Sequence, residues 1–146
     1  MTKSTIQSVG SIVTLPSIAV MGKAVVGVKN SEKAFHEIEL KLTTMRGRKF
    51  YGLLHDDPET GKYFACVQVN PGDNPKALGL EARQTPGGRY VRRKIRYWYE
   101  DISIIGKGFG LLFEKYPHDP SRPTIEYYRS DRDVHIFVPV VTTSAV

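Results

Sequence analysis

Lys49-Phe-Tyr-Gly-Leu-Leu54 with Tyr63-Phe-Ala-Cys-Val-Gln-Val69, and Thr124-Ile-Glu-Tyr-Tyr-Arg129 with Asp133-Val-His-Ile-Phe-Val-Pro-Val140, are two copies of one pattern. Each is a pair of short runs rich in β-branched and aromatic residues, parted by turn residues, and reads as an antiparallel strand pair. Without gaps inside the strands, Phe50 aligns with Ile125 and Tyr51 with Glu126, while Ala65, Val67 and Val69 align with Ile136, Val138 and Val140. A helical pattern precedes each pair, and a strand precedes each helix. Two βαββ units in tandem predict a pseudo-symmetric α+β domain with a largely antiparallel sheet and two helices on one face. Such a domain can hold a small molecule between its halves, and Glu126 is the one acid this reading places in the seam.

The intervening segments complete the halves. Ala34, Phe35, Ile38, Leu42 and Met45 recur at helical spacing behind the N-cap candidates Asn30 and Ser31, which predicts a helix over 31–46. Trp98, Ile102, Ile105, Phe109, Leu112, Phe113 and Tyr116 predict a second over 98–115, stopped by Pro117-His-Asp-Pro-Ser-Arg-Pro123. A long strand over 18–28 opens the first half. A strand over about 80–95, bent at Thr85-Pro-Gly-Gly88, opens the second. Asn70-Pro-Gly-Asp-Asn-Pro75 is turn chemistry without periodicity and reads as the hinge. Residues 1–146 are thus one domain with halves of about 11–70 and 79–141. Gly106-Lys-Gly-Phe-Gly110, inside the second helix, lacks the spacing of a phosphate loop, and close helix-to-sheet packing or a kink explains it better.

The chain carries 21 basic and 15 acidic residues, a net charge of +6, with Arg89, Arg92, Arg93, Lys94 and Arg96 as the densest run. No helix-turn-helix, zinc-ligand or RNA-binding signature accompanies that run, so it reads as a charge-protected strand rather than a specific nucleic-acid site. No apolar stretch approaches the roughly 20 residues that cross a bilayer, and with no hydrophobic stretch among the first residues no secretion signal is expected. The single Cys66 cannot form an intramolecular disulfide, so a cytoplasmic home is expected. No histidine pair at metal-ligand spacing, nucleophile elbow or Cys-His-Asn set is present, and neither a metal nor another cofactor is expected.

Strand alternation sorts the side chains. With Val134, Ile136, Val138 and Val140 toward the helices, and Ile125 and Tyr127 likewise, the opposite face holds Tyr51, Leu53, Phe64, Cys66, Glu126, Tyr128, His135 and Phe137. That face is aromatic enough to wall a ligand cleft with one carboxylate in it. Two plainer readings stand beside it: Glu126 as an exposed strand residue paired with Arg129 or Arg132, and the aromatics as packing against a partner subunit.

These residues carry a resemblance. Lys49-Phe-Tyr-Gly-Leu-Leu-His-Asp-Asp-Pro58, Thr85-Pro-Gly-Gly-Arg-Tyr90, Pro123-Thr-Ile-Glu-Tyr-Tyr128 and Val134-His-Ile-Phe-Val-Pro-Val140 resemble, in order and spacing, the GyrI-like family of effector-binding domains found in bacterial transcription activators and multidrug sensors. The resemblance spans roughly residues 12–141. It implies two βαββ units sharing a curved sheet, with a ligand cleft along the seam. It also implies that Glu126 meets lipophilic cations and that Tyr51 lines the pocket. No accompanying DNA-binding domain is expected here. The chain departs from the family pattern where a Gly-Pro step usually follows the Gly-x-Tyr strand: Arg92-Arg-Lys-Ile-Arg-Tyr-Trp-Tyr99 stands there, which alters the cleft rim and brings Tyr97, Trp98 and Tyr99 near the mouth.

Three functions fit. The first is a binding module for amphipathic, cationic or aromatic drug-like molecules, using Glu126, Tyr51, Tyr128, Phe137, His135, Phe64, Leu53, Trp98 and Tyr97. The second is a hydrolase of strained electrophilic molecules with Glu126 as general acid or base, an activity the resemblance allows. The third is an interaction protein that binds gyrase or a regulator through the aromatic face.

Overall fold

The computed structural model describes residues 9–130 and 132–141. Eight strands form one sheet: β1 (Ser11–Leu15), β2 (Ala19–Val26), β3 (Phe50–Leu54), β4 (Lys62–Gln68), β5 (Glu81–Gln84), β6 (Gly88–Arg96), β7 (Thr124–Tyr128) and β8 (Asp133–Pro139). Two helices, α1 (Ser31–Lys41) and α2 (Ser103–Lys115), follow β2 and β6. The strand order is β1-β6-β8-β7-β3-β4-β2-β5, and the sheet is not closed. Every neighbouring pair is antiparallel.

That order reads the same under exchange of the halves, with β3 and β7 at the centre. Each half's first strand crosses over: β1 pairs with β6 of the second half, and β5 pairs with β2 of the first. The halves are therefore interlocked at the outer edges as well as joined at the middle. The strand expected over 18–28 runs unbroken as β2, while that expected over 80–95 is interrupted near a proline. Pro16 separates β1 from β2 and Pro86 separates β5 from β6, because proline supplies no ladder donor.

Both helices lie on one face. Ala34 and Ile38 of α1 are buried against Met21, Ala65 and Val67, and Ile105 and Leu112 of α2 against Val91, Ile136 and Val138. α1 ends at Lys41, short of the expected 46, and the second helical segment begins as a 3-10 turn over Trp98–Glu100 before α2 proper. Of the three glycines in α2, Gly108 faces the sheet, where an added Cβ would lie 2.7 Å from the Ile95 tip and 2.9 Å from that of Ile136. Close helix-to-sheet packing explains that residue, while Gly106 and Gly110 border open space.

The other face is buried too, although no helix covers it. Val20, Leu53, Phe64, Cys66, Tyr90, Ile125 and Phe137 form its core, with Val13, Leu15 and Ile18 packed against them. The curved sheet and its β1–β2 end supply this cover.

The placement of β7 departs from expectation. Residues paired directly across an antiparallel ladder share a face. Gly52 pairs with Glu126 and Tyr51 with Tyr127, so Gly52, not Tyr51, is the counterpart of Glu126 in the repeat. Glu126 and Tyr128 therefore face the helices, and Ile125 and Tyr127 face away. The match of Ala65 to Ile136 holds: Ala65 pairs with Gly52 and Ile136 with Glu126. The expected β3-to-β7 match is one residue out of step, and a one-residue slip carries every side chain of a strand to the other face.

Candidate functional site

Glu126 sits at the middle of β7, opposite Gly52. Tyr63, at the start of β4, reaches across Gly52 and donates its hydroxyl hydrogen bond to Glu126 Oε1 at 2.6 Å. Tyr128, two residues on and on the same face, donates to the same oxygen at 2.6 Å. Gly52 makes this possible: a Cβ there would lie 1.9 Å from the Tyr63 hydroxyl and 2.7 Å from Glu126 Oε1. Both donors fall on one oxygen, so Oε2 has no hydrogen-bond partner among the described residues.

Glu126 is 8% exposed. Burial pushes its carboxyl above the usual carboxylate range, and the Tyr128 and Tyr63 hydrogen bonds pull part of the way back. Burial, followed by the neighbouring carboxylate charge, pushes the Tyr63 and Tyr128 hydroxyls well above their ordinary value, so both remain donors.

This cluster borders a cavity of about 590 Å³ between the helices. The sheet contributes Leu54, Tyr63, Thr124, Glu126 and Tyr128. α2 and the turn before it contribute Ile102, Ile105, Phe109 and Phe113, with Gly106 and Gly110 leaving room among them. Ser103 of α2, with Val28, Ser31, Asp56 and Pro58, completes the lining. A second cavity, of about 490 Å³, lies beside the first and shares Ser31, Ile102 and Tyr128 with it. Phe35, Phe50, Met45 and Trp98 supply its apolar wall, and Glu32, Glu39, Arg48 and Arg129 its charges. Arg48 is already held by Asp73 through two hydrogen bonds of 2.6 and 2.9 Å.

The structure divides the residues singled out in the sequence. Glu126 and Tyr128 are together in the cleft, and Trp98 lines the second cavity. Tyr51, Leu53, Phe64, His135 and Phe137 lie on the opposite face in a separate cluster, where Tyr51 stacks on Tyr127 at 4.8 Å between ring centres and His135 meets Tyr127 edge-on at 6.0 Å. Burial pushes the Tyr51 hydroxyl up to about 12. Burial, with Lys94 and Arg92 adding repulsion, holds His135 below the ordinary imidazole value. Tyr97 is exposed, in a left-handed backbone conformation with φ of 58°, beside Arg96.

Sequence reasoning passed over Tyr63, Gly52 and the α2 wall. Tyr63 had a signal, because it alternates in step with Ala65 and Val67, the counterparts of Ile136 and Val138 in the repeat. Gly106 and Gly110 had another: two helical glycines flanking the buried one mark a helix surface with space beside it.

No family model and no curated protein matches the sequence. Solved structures match in fold. An integron cassette protein from the mobile metagenome of Vibrio cholerae superposes with a TM-score of 0.68 at 18% identity, covering 90% of this chain and 96% of that one. The C-terminal domain of EcmrR superposes with a TM-score of 0.68 at 15% identity, covering 92% and 98%. SAV2435, solved bound to tetraphenylphosphonium, superposes with a TM-score of 0.60 at 13% identity, covering 90% and 93%. Likeness at these identities concerns the fold, and it is consistent with the GyrI-like effector-binding architecture that the sequence resembles.

Proposed function

We propose that this protein binds amphipathic cationic or aromatic small molecules in the cleft between α1 and α2, with Glu126 as the counter-charge. The observation that carries this reading is the Glu126 carboxylate: it is buried beside an apolar cavity and has both tyrosine donors on Oε1. An ionised carboxylate with little water around it gains from a cation that has little water of its own. A delocalised, lipophilic cation meets that condition, and the ring faces of Tyr128 and Phe109 add attraction. The tetraphenylphosphonium bound to SAV2435, a neighbour in fold, is such a cation.

The test compares tetraphenylphosphonium with the neutral triphenylphosphine oxide by titration calorimetry on wild type and Glu126→Gln. Glutamine keeps the shape and most of the hydrogen-bonding reach. The cation is expected to lose about 1–3 kcal/mol of binding free energy and the neutral ligand much less. Equal losses would remove Glu126 as the counter-charge.

A second reading has one observation in its favour. A carboxyl raised by burial beside two hydroxyl donors is suited to general acid–base work on water, which would make the cleft that of a hydrolase of electrophilic small molecules. Turnover of a strained electrophile that is lost in Glu126→Gln would decide for it.

A further inference from the structure

The cleft has two lobes, which share Ser31, Ile102 and Tyr128, and the aromatic ring among these is that of Tyr128. Tyr128 lines both cavities. Its ring is held edge-on by Phe35 of α1, with ring centres 5.6 Å apart, and by Trp98, at 5.3 Å. Its hydroxyl is tied to Glu126. The lobes differ in chemistry. The lobe at Glu126 has the buried carboxylate. The lobe at Trp98 has two acids, Glu32 and Glu39, against two bases, Arg48 and Arg129, and Arg48 is already neutralised by Asp73. The remaining Glu32, Glu39 and Arg129 leave one net negative charge at exposed positions, where solvent screens it, and the inner wall of Phe35, Phe50 and Trp98 favours a flat apolar group.

We infer that Tyr128 is the partition of a two-lobed site and sets the size of its ligands: a compact aromatic cation fills the lobe at Glu126, and a cation carrying a neutral aromatic arm reaches the lobe at Trp98 only by displacing the Tyr128 ring. This rests on the ligand-binding reading above. Displacement breaks the hydroxyl bond to Glu126 and both edge contacts, so the arm's burial is offset by what it disrupts. Removing the ring removes that offset and joins the lobes.

Two probes with the same cation test this: methyltriphenylphosphonium, and biphenyl-4-ylmethyltriphenylphosphonium, which adds a rigid two-ring arm. Their dissociation constants are measured by calorimetry on wild type, Tyr128→Ala and Tyr128→Phe. On wild type the two are expected to bind within about threefold of each other, the arm's burial being offset. In Tyr128→Ala the ratio is expected to move by about tenfold or more in favour of the armed probe, the worth of burying its rings without that offset. Tyr128→Phe keeps the ring and both edge contacts but not the hydroxyl bond, so it should move the ratio in the same direction by less than Tyr128→Ala does. Should Tyr128→Ala not fold, Tyr128→Leu is expected to move the ratio in the same direction. An unchanged ratio in the folded variant, with both probes binding wild type, would overturn the partition alone. Failure of both probes to bind wild type would overturn the ligand site and the partition with it.

Discussion

The two halves are alike in path and unlike where they meet. Pairing of Gly52 with Glu126 places these residues in equivalent positions across the centre of the sheet, and the same relation matches Leu54 with Tyr128. Leu54 pairs with Tyr63 in one half and Tyr128 with Val134 in the other, so Tyr63 matches Val134. The second half supplies the acid and one hydroxyl. The first supplies an empty position and the other hydroxyl. A symmetric centre would not work: two directly opposed carboxylates repel, and two glycines leave no charge. The repeat builds the cradle, and its broken symmetry builds the chemistry. The helices differ in the same sense. α1 has no glycine, while α2 has three, of which Gly106 and Gly110 leave the cleft open.

The most severe way to break this comparison is to fill the empty side of the pair. Gly52→Ala puts a methyl where the Tyr63 hydroxyl now lies. The cost in chemical denaturation is expected to be about 3 kcal/mol or more, from overpacking plus the loss of a hydrogen bond to a buried carboxylate. A cost below that of an ordinary surface change would show that Tyr63 has another place to go.

A smaller effect comes from the acid. The folded protein holds the Glu126 proton more tightly than the unfolded chain does, because burial raises the carboxyl above 4.5. Stability of the empty protein should therefore fall as pH rises from that ordinary value through the raised one, and then level off. Cation affinity should climb through the same window, since the cation needs the ionised form. Other carboxyls, such as that of Asp73, are held low by their partners and slope the other way, so the informative quantity is the difference between wild type and Glu126→Gln. A difference that does not vary with pH would mean that the folded protein does not raise the Glu126 carboxyl above its value in the unfolded chain.

The α2 glycines give the smallest effects, of opposite sign. Gly106→Ala and Gly110→Ala meet nothing within 4 Å and should each add about 1 kcal/mol of stability by removing backbone freedom from the unfolded chain. Gly108→Ala meets two isoleucine tips and should lose about 1 kcal/mol net. Thermal unfolding of the three variants separates the residue that packs from the two that border the cleft.

The sequence by itself determined the elements and their repeat. Period-two runs ending in turn residues marked β3, β4, β7 and β8, the apolar spacing of three and four marked both helices, and the β4-to-β8 match was right to the residue. It also singled out Glu126 and Tyr128. The face on which they lie came from long-range pairing. Alternation assigns a face when one side of a sheet is wet and the other dry. Here both sides of the central strands are buried, so Ile125 with Tyr127 and Glu126 with Tyr128 are each acceptable toward the helices. The choice was made by the β3–β7 ladder, a contact between residues more than seventy positions apart, which set Gly52 against Glu126 and so brought the acid, Tyr63 and the α2 wall into one cleft.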